Sequence, residues 1–178
     1  MRKISQFILV AFTILFSGSN VAFGHDSMAQ EKELNQSNDI FLNDSLTRTG
    51  EISSLELISR YEKFKKNYDS YEPEAEDIEN FKKLAGLDFV VFFGLWCHDS
   101  QREVPRLLKL IELSKTNVGS IKLIALNTSK ELTEKYSHKY QVSNTPTFFV
   151  LKNREVIAKM VESPEESITK DLVKQIMH

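Results

Sequence analysis

The chain contains one cysteine, Cys97, so all of its thiol chemistry rests on a single sulfur atom. One cysteine cannot form an intramolecular disulfide or supply a four-cysteine zinc site. It can act as a nucleophile, because a thiolate attacks a disulfide sulfur and forms a mixed disulfide. Its neighbours are Trp96, His98, Asp99 and Ser100. Such aromatic and polar residues between an apolar strand and a helix are typical of an exposed turn, whereas the usual alternative for a lone cysteine is a buried, inert thiol.

The side chains next to Cys97 could tune its reactivity. A cysteine at the start of a helix lies at the positive end of the helix dipole, which favours the thiolate, and Ser100 one turn later can donate a hydrogen bond to the sulfur. A protonated His98 would stabilise the thiolate and Asp99 would oppose it, or the two could form a solvated pair. Alternatively, residues 100–103 match a capping box, which would make Ser100 the N-cap and move Cys97 away from the dipole.

A second candidate element is the proline in Thr145-Pro146-Thr147, directly before a predicted strand. This sequence suits a tight cis turn whose preceding backbone pairs with an extended client peptide. The alternative is a trans-proline that only ends a loop. The candidate site residues are Cys97 and Ser100 for catalysis and Trp96, His98, Asp99, Thr145 and Pro146 for substrate binding.

The remaining polar residues predict neither a metal site nor a cofactor. His138 and His178 lie far from Cys97 in sequence and lack metal-ligand spacing, and three consecutive side chains at 97–99 cannot easily point at one metal. The glycines form no phosphate-binding loop. A cysteine–histidine nucleophile would need an orienting group and an oxyanion site, and neither can be identified.

The composition indicates one globular domain. The 178 residues are 41% hydrophobic and 10% aromatic, which is enough to build a core. A formal net charge of −2 provides no cationic field for a polyphosphate backbone, so we expect no nucleic-acid partner.

The beginning of the chain predicts export. Two basic residues precede the apolar run Phe7–Phe16, which is too short to span a bilayer, and the small residues Ala22 and Gly24 suit signal peptidase. We expect residues 1–24 to be a signal peptide, with residues 27–29 as a second candidate cleavage site. The mature protein would be periplasmic or secreted, without stable membrane insertion. The alternative is an apolar N-terminal helix that belongs to the fold.

The segments that follow the predicted signal differ in pattern. Residues 25–50 are polar and without sustained period, and we interpret them as a flexible arm. Residues 51–86 predict a helical extension of two helices. The first begins at the capping box Ser53–Glu56 and continues with apolar residues at helical spacing as far as Tyr68, and the second runs from about Glu74 to Ala85.

The rest of the chain predicts an α/β domain with the order βαβαββα. Two continuous apolar runs are typical of strands buried on both faces, and the helix between them predicts that they are parallel. A turn at residues 152–154 joins the last two strands. The strands are Phe89–Phe93, Ile121–Leu126, Thr147–Leu151 and Glu155–Val161, and the helices are one around Val104–Ile111, one near Ser129–His138 and one over Pro164–Met177.

In combination, the residues of the candidate site resemble thioredoxin. The pattern Trp96-Cys97-x-x-Ser100, Pro105 in the following helix and Thr145-Pro146-Thr147 are similar to its Trp-Cys-x-x-Cys element, its helix proline and its cis-proline loop. The resemblance covers about residues 88–178. The Trp-Cys-x-Asp-Ser sequence is similar to the site of exported bacterial thioredoxin-like proteins. The resemblance implies a thioredoxin fold over residues 87–178, with a central mixed β-sheet flanked by helices.

Two departures from thioredoxin change the expected chemistry. Ser100 stands where the resolving cysteine belongs, and Val91 stands where thioredoxin has a buried acidic residue. A dithiol enzyme needs a second thiol to break the mixed disulfide, so this chain would need an external one. We therefore expect isomerase-like or glutathione-dependent exchange through Cys97, with client protein thiols or disulfides and glutathione as partners. The alternative is a non-catalytic thioredoxin-fold module that binds clients.

Overall fold

The computed structural model describes residues 46–177, so the predicted signal peptide and most of the polar arm lie outside the described residues. The strands are β1 (Gly50–Ile52), β2 (Asp88–Phe93), β3 (Ser120–Ala125), β4 (Thr147–Lys152) and β5 (Glu155–Val161). The helices are α1 (Ser54–Arg60), α2 (Glu62–Ser70), α3 (Ala75–Phe81), α4 (His98–Ser114), α5 (Glu134–Ser137) and α6 (Ile168–Ile176), and a single 3₁₀ turn (Lys82–Leu84) follows α3.

The five strands form one mixed sheet in the order β1-β3-β2-β4-β5. Strands β2 and β3 are parallel, as the helical crossover between them predicts, and β4 pairs antiparallel with both β2 and β5. The predicted α/β class, with a central mixed sheet flanked by helices, is therefore confirmed. Strand β1, which pairs antiparallel with β3 at the sheet edge, was not predicted, because three residues are too few to show a period.

The helices differ from prediction mainly in their ends. The first predicted helix is two, because the chain is extended at Tyr61 between α1 and α2. The apolar residues on either side of this break still pack on the same side of the chain, because Leu57, Tyr61 and Phe64 all belong to one hydrophobic core. The hydroxyl of Ser53 caps α1 by accepting from Glu56 N–H at 3.1 Å, as predicted. Helix α5 has only four residues.

The sheet separates two apolar cores. Alternate residues of β2 face opposite sides, so Phe89, Val91 and Phe93 join the larger core, whereas Val90 and Phe92 join the smaller one. Helices α1, α2 and α3 contribute side chains to the larger core, which places the predicted helical extension and the sheet in one packed unit. No helix within residues 46–177 is long and apolar enough to cross a membrane.

Candidate active site

Cys97 lies at the point where strand β2 leads into helix α4. It is the N-cap of α4, half-buried, with its backbone N–H donating to Gly94 O at 3.1 Å and its carbonyl accepting from Gln101 N–H at 3.0 Å. The helix therefore begins directly after Cys97, and the alternative in which Ser100 caps it is wrong. The first-turn amides of a helix lack intrahelical acceptors, so the sulfur lies at the positive end of the dipole.

The thiol of Cys97 contacts the proline turn. Its Sγ donates to the backbone oxygen of Thr145 at 3.0 Å, across 48 residues of sequence. The Thr145–Pro146 peptide bond is cis, and both residues are buried. The turn is held from its other side, because Glu162 N–H donates to Pro146 O at 2.8 Å. The structure thus brings together the two segments that the resemblance to thioredoxin assigns to one site.

Ser100 lies in the first turn of α4 and is fully buried, with 0% exposure. Its Oγ accepts a hydrogen bond from Gly94 N–H at 3.1 Å, and the predicted hydrogen bond from Ser100 to the sulfur is not formed. The buried N–H of Gly94 needs an acceptor, and the Ser100 side chain is oriented so that its Oγ supplies it. In this structure Ser100 therefore holds the turn that carries Cys97 and makes no hydrogen bond to its thiol.

Trp96 packs against the strand-to-helix turn. Its ring Nε1 donates to Leu126 O at 3.1 Å, and its side chain is half-buried. A Cβ added to Gly94 would lie 2.6 Å from Trp96 Cε2, so the indole fits only because residue 94 has no side chain. Gly94 therefore positions both Trp96 and Ser100, a role that sequence analysis missed.

His98 and Asp99 form the polar rim of the site. The His98 side chain is 86% exposed, and its Nδ1 lies 3.9 Å from Asp99 Oδ1. The closer partner of that carboxylate is Arg102, whose Nη2 lies 2.9 Å from Asp99 Oδ1. Sequence analysis missed this ion pair, although three-residue spacing on a helix is a signal for it.

A buried carboxylate lies one turn further along α4. Glu103 is 1% exposed, and its Oε1 accepts from Arg102 Nε at 2.5 Å and from Arg106 Nη1 at 3.2 Å. The hydrogen bond that Arg102 donates to Glu103 raises the pKa of Arg102 above its usual value. Arg102 is thus held between Asp99 and Glu103, with its guanidinium bound on both sides.

Val91 is fully buried in the sheet, so the position that corresponds to the buried acid of thioredoxin carries no charge. Within residues 46–177 no three His, Cys, Asp or Glu side chains are grouped to hold a metal ion. The chemical group that the site does present is a half-exposed thiol beside a proline turn.

Comparisons with known proteins identify the family of the chain. A protein-family model described as thioredoxin matches residues 54–176, which runs from α1 through α6. None of the curated proteins compared with the chain matches it.

Two solved structures resemble the chain at low identity. A crystal structure of a protein of unknown function from Pseudomonas aeruginosa is 14% identical, with a TM-score of 0.46, over 71% of this chain and 95% of that one. Oxidised mitochondrial thioredoxin 3 from Saccharomyces cerevisiae is 21% identical, with a TM-score of 0.37, over 62% and 97%. The family match covers most of the chain, and the mixed sheet with its flanking helices agrees with it. The chain therefore belongs to the thioredoxin family, whose fold supports thiol–disulfide redox chemistry.

Proposed function

We propose that the protein exchanges thiols and disulfides through Cys97 as a single thiol. The observation that carries the proposal is the 3.0 Å contact between Cys97 Sγ and Thr145 O, which sets the only sulfur nucleophile of the chain against the Pro146 turn. A client that lies extended along this turn would bring its disulfide to the sulfur. Trp96 would form one wall of that groove, with His98 and Asp99 at its rim.

The first chemical step is attack by the Cys97 thiolate on one sulfur of a client disulfide. The client S–S bond breaks, a mixed disulfide forms, and the departing client thiolate takes up a proton. The positive end of α4 favours the thiolate that this step requires. Ser100 cannot perform the second step, because a hydroxyl does not attack and reduce a disulfide.

Release therefore needs another thiol, and the choice of thiol decides the net reaction. When a second client thiol attacks the client sulfur, Cys97 leaves unchanged and the client disulfide is isomerised without net electron transfer. When glutathione attacks Cys97 Sγ, the client leaves with both sulfurs reduced and glutathione stays on Cys97. A second glutathione then attacks the glutathione sulfur of this adduct, the bond to Cys97 Sγ breaks, and glutathione disulfide departs with the Cys97 thiolate restored. Two glutathione molecules are thus oxidised, and their two electrons pass to the client.

The test uses a fluorescent peptide with one intramolecular disulfide, in the presence of glutathione. Wild type should reduce many equivalents of the peptide per protein molecule, whereas Cys97→Ser should not exceed the reaction without protein. Because Cys97 is the only cysteine, this single substitution removes every thiol of the chain. Equal rates for the two proteins would overturn the proposal.

A binding module without turnover is the second candidate. It would retain the peptide at the groove, either as a persistent Cys97 adduct that glutathione does not release or with no adduct at all. Mass spectrometry after glutathione treatment separates the persistent adduct from the enzyme, which returns to its free mass. A binder without an adduct also shows the free mass, and it is distinguished from the enzyme because it does not reduce the peptide.

We also propose that the protein acts after export, in the periplasm or outside the cell. The support is the order of basic, apolar and small residues within residues 1–24. Disulfide-bonded clients are common in those compartments, which fits the proposed chemistry.

A further inference from the structure

We propose that Arg102 is a positioning residue for the Cys97 site. By binding the Asp99 carboxylate it offsets the negative charge that Asp99 places in the first turn of α4, directly after Cys97. The inference rests on the proposed function, because it concerns the reactivity of Cys97 as a nucleophile. Nothing in the thioredoxin-like motif itself assigns a role to residue 102.

The position of Asp99 creates the need for such a residue. Asp99 lies two residues after Cys97, in the first turn of α4, and its side chain is 37% exposed. A carboxylate is favourable at a helix N-terminus, but a like charge near a thiolate disfavours the anion. His98 is the other ionisable group of this turn, and at 3.9 Å from Asp99 Oδ1 and almost fully exposed it neutralises the carboxylate weakly.

Arg102 is built to hold Asp99. Its Nη2 lies 2.9 Å from Asp99 Oδ1, while its Nε lies 2.5 Å from Oε1 of the buried Glu103. A guanidinium can donate along two edges at once, and here one edge is fixed by a carboxylate that is itself inaccessible to water. The arginine is therefore oriented before any client arrives, with its Nη2 directed at Asp99.

Arg106 provides a matched control. It also donates to Glu103 Oε1, at 3.2 Å, and its guanidinium lies 5.1 Å from the centre of the Tyr71 ring. Its ion pairs do not include Asp99. Arg106→Gln thus removes the same charge from the same helix and the same buried carboxylate, but leaves the Asp99–Arg102 pair in place.

The experiment measures the rate at which iodoacetamide, a neutral probe, alkylates Cys97 from about pH 5 to about pH 8. We expect Arg102→Gln to slow alkylation about threefold on the rising part of this profile, because Asp99 becomes an unpaired like charge. The double variant Asp99→Asn/Arg102→Gln should recover the wild-type rate. Arg102→Lys should retain most of it, and Arg106→Gln should match wild type.

Each other outcome overturns the inference. An unchanged rate in Arg102→Gln, a slow rate that Asp99→Asn does not restore, or an equal loss in Arg106→Gln would show that Arg102 does not act through Asp99. If Arg102→Gln fails to fold, Asp99→Asn alone decides: it should leave the rate close to that of wild type, because Arg102 already offsets the charge that is removed and keeps its bond to Glu103. A clear acceleration would show that Arg102 does not neutralise Asp99. Alkylation needs no disulfide, so the effect of Arg102 on Cys97 can be measured even if the protein does not catalyse the proposed thiol–disulfide exchange.

Discussion

Replacement of Gly94 by alanine tests how the turn before Cys97 is built. The added Cβ would lie 2.6 Å from Cε2, 2.9 Å from Nε1 and 3.0 Å from Cζ2 of Trp96. Carbon atoms in contact are normally about 3.5–4.0 Å apart, so the indole must move by about 1 Å. That movement weakens the hydrogen bond from Trp96 Nε1 to Leu126 O, which is 3.1 Å long.

Both consequences lower the stability of the protein. Overpacking costs about 1–3 kcal/mol, and a lost hydrogen bond about 1 kcal/mol. Because Trp96 is only half-buried, part of the strain is relieved when the ring moves toward solvent. We expect the free energy of unfolding to fall by about 2 kcal/mol, and the rate of disulfide exchange to fall with the loss of the groove wall.

The assay is urea unfolding followed by circular dichroism, together with tryptophan fluorescence. Trp96 is the only tryptophan, so its emission reports this site alone and should shift to longer wavelength in Gly94→Ala. In a Trp96→Ala background the steric conflict is absent, and the same glycine substitution should cost almost nothing. An equal cost in both backgrounds would refute the reasoning.

Three further predictions follow from the geometry. Ser100→Ala leaves the Gly94 N–H without its acceptor and should lower the free energy of unfolding by about 1–3 kcal/mol in urea, whereas Ser100→Thr, which keeps the hydroxyl, should show that bond retained in amide hydrogen exchange. Burial and the hydrogen bond to Glu112 raise the pKa of Tyr68 to about 12, so the folded state holds that proton longer than the unfolded state; stability should decline as the pH rises from about 10 to about 12, and Tyr68→Phe should decline less. Mass spectrometry of the protein from its native host should find an N-terminus at His25 or close downstream, and intact chains beginning at Met1 in the cytosol would end the export proposal.

The strand and helix that carry Cys97 were predictable because their signals are local. The run Phe89–Phe93 is apolar throughout, which is typical of a strand covered on both faces. The resemblance of Trp96, Cys97 and Pro105 to the thioredoxin pattern implies a helix that begins at the cysteine. The structure agrees on both points. Local signals also predicted the Ser53 cap, since capping depends on residues three apart.

The contacts that define the site were not predictable, because they depend on tertiary packing. The bond from Cys97 to Thr145 O joins a helix N-terminus to a loop 48 residues away, and no periodicity reports which atoms will meet there. Glu103 lies in a charged stretch of sequence that is usually solvated, yet it is buried. Ser100 was expected to donate a hydrogen bond to the sulfur, but the hydrogen bond that the structure shows is the one its Oγ accepts from Gly94 N–H.

The central claim is that Cys97 forms a mixed disulfide which no other group of the chain can resolve. The most direct measurement isolates the adduct of Cys97 with glutathione and follows its decay by mass spectrometry without added thiol, in wild type and in Ser100→Cys. We expect the wild-type adduct to persist until an external thiol is added, whereas in the variant the introduced thiol should release glutathione and close an intramolecular disulfide. Release from wild type in the absence of thiol, or failure of Cys97 to form the adduct at all, would contradict it.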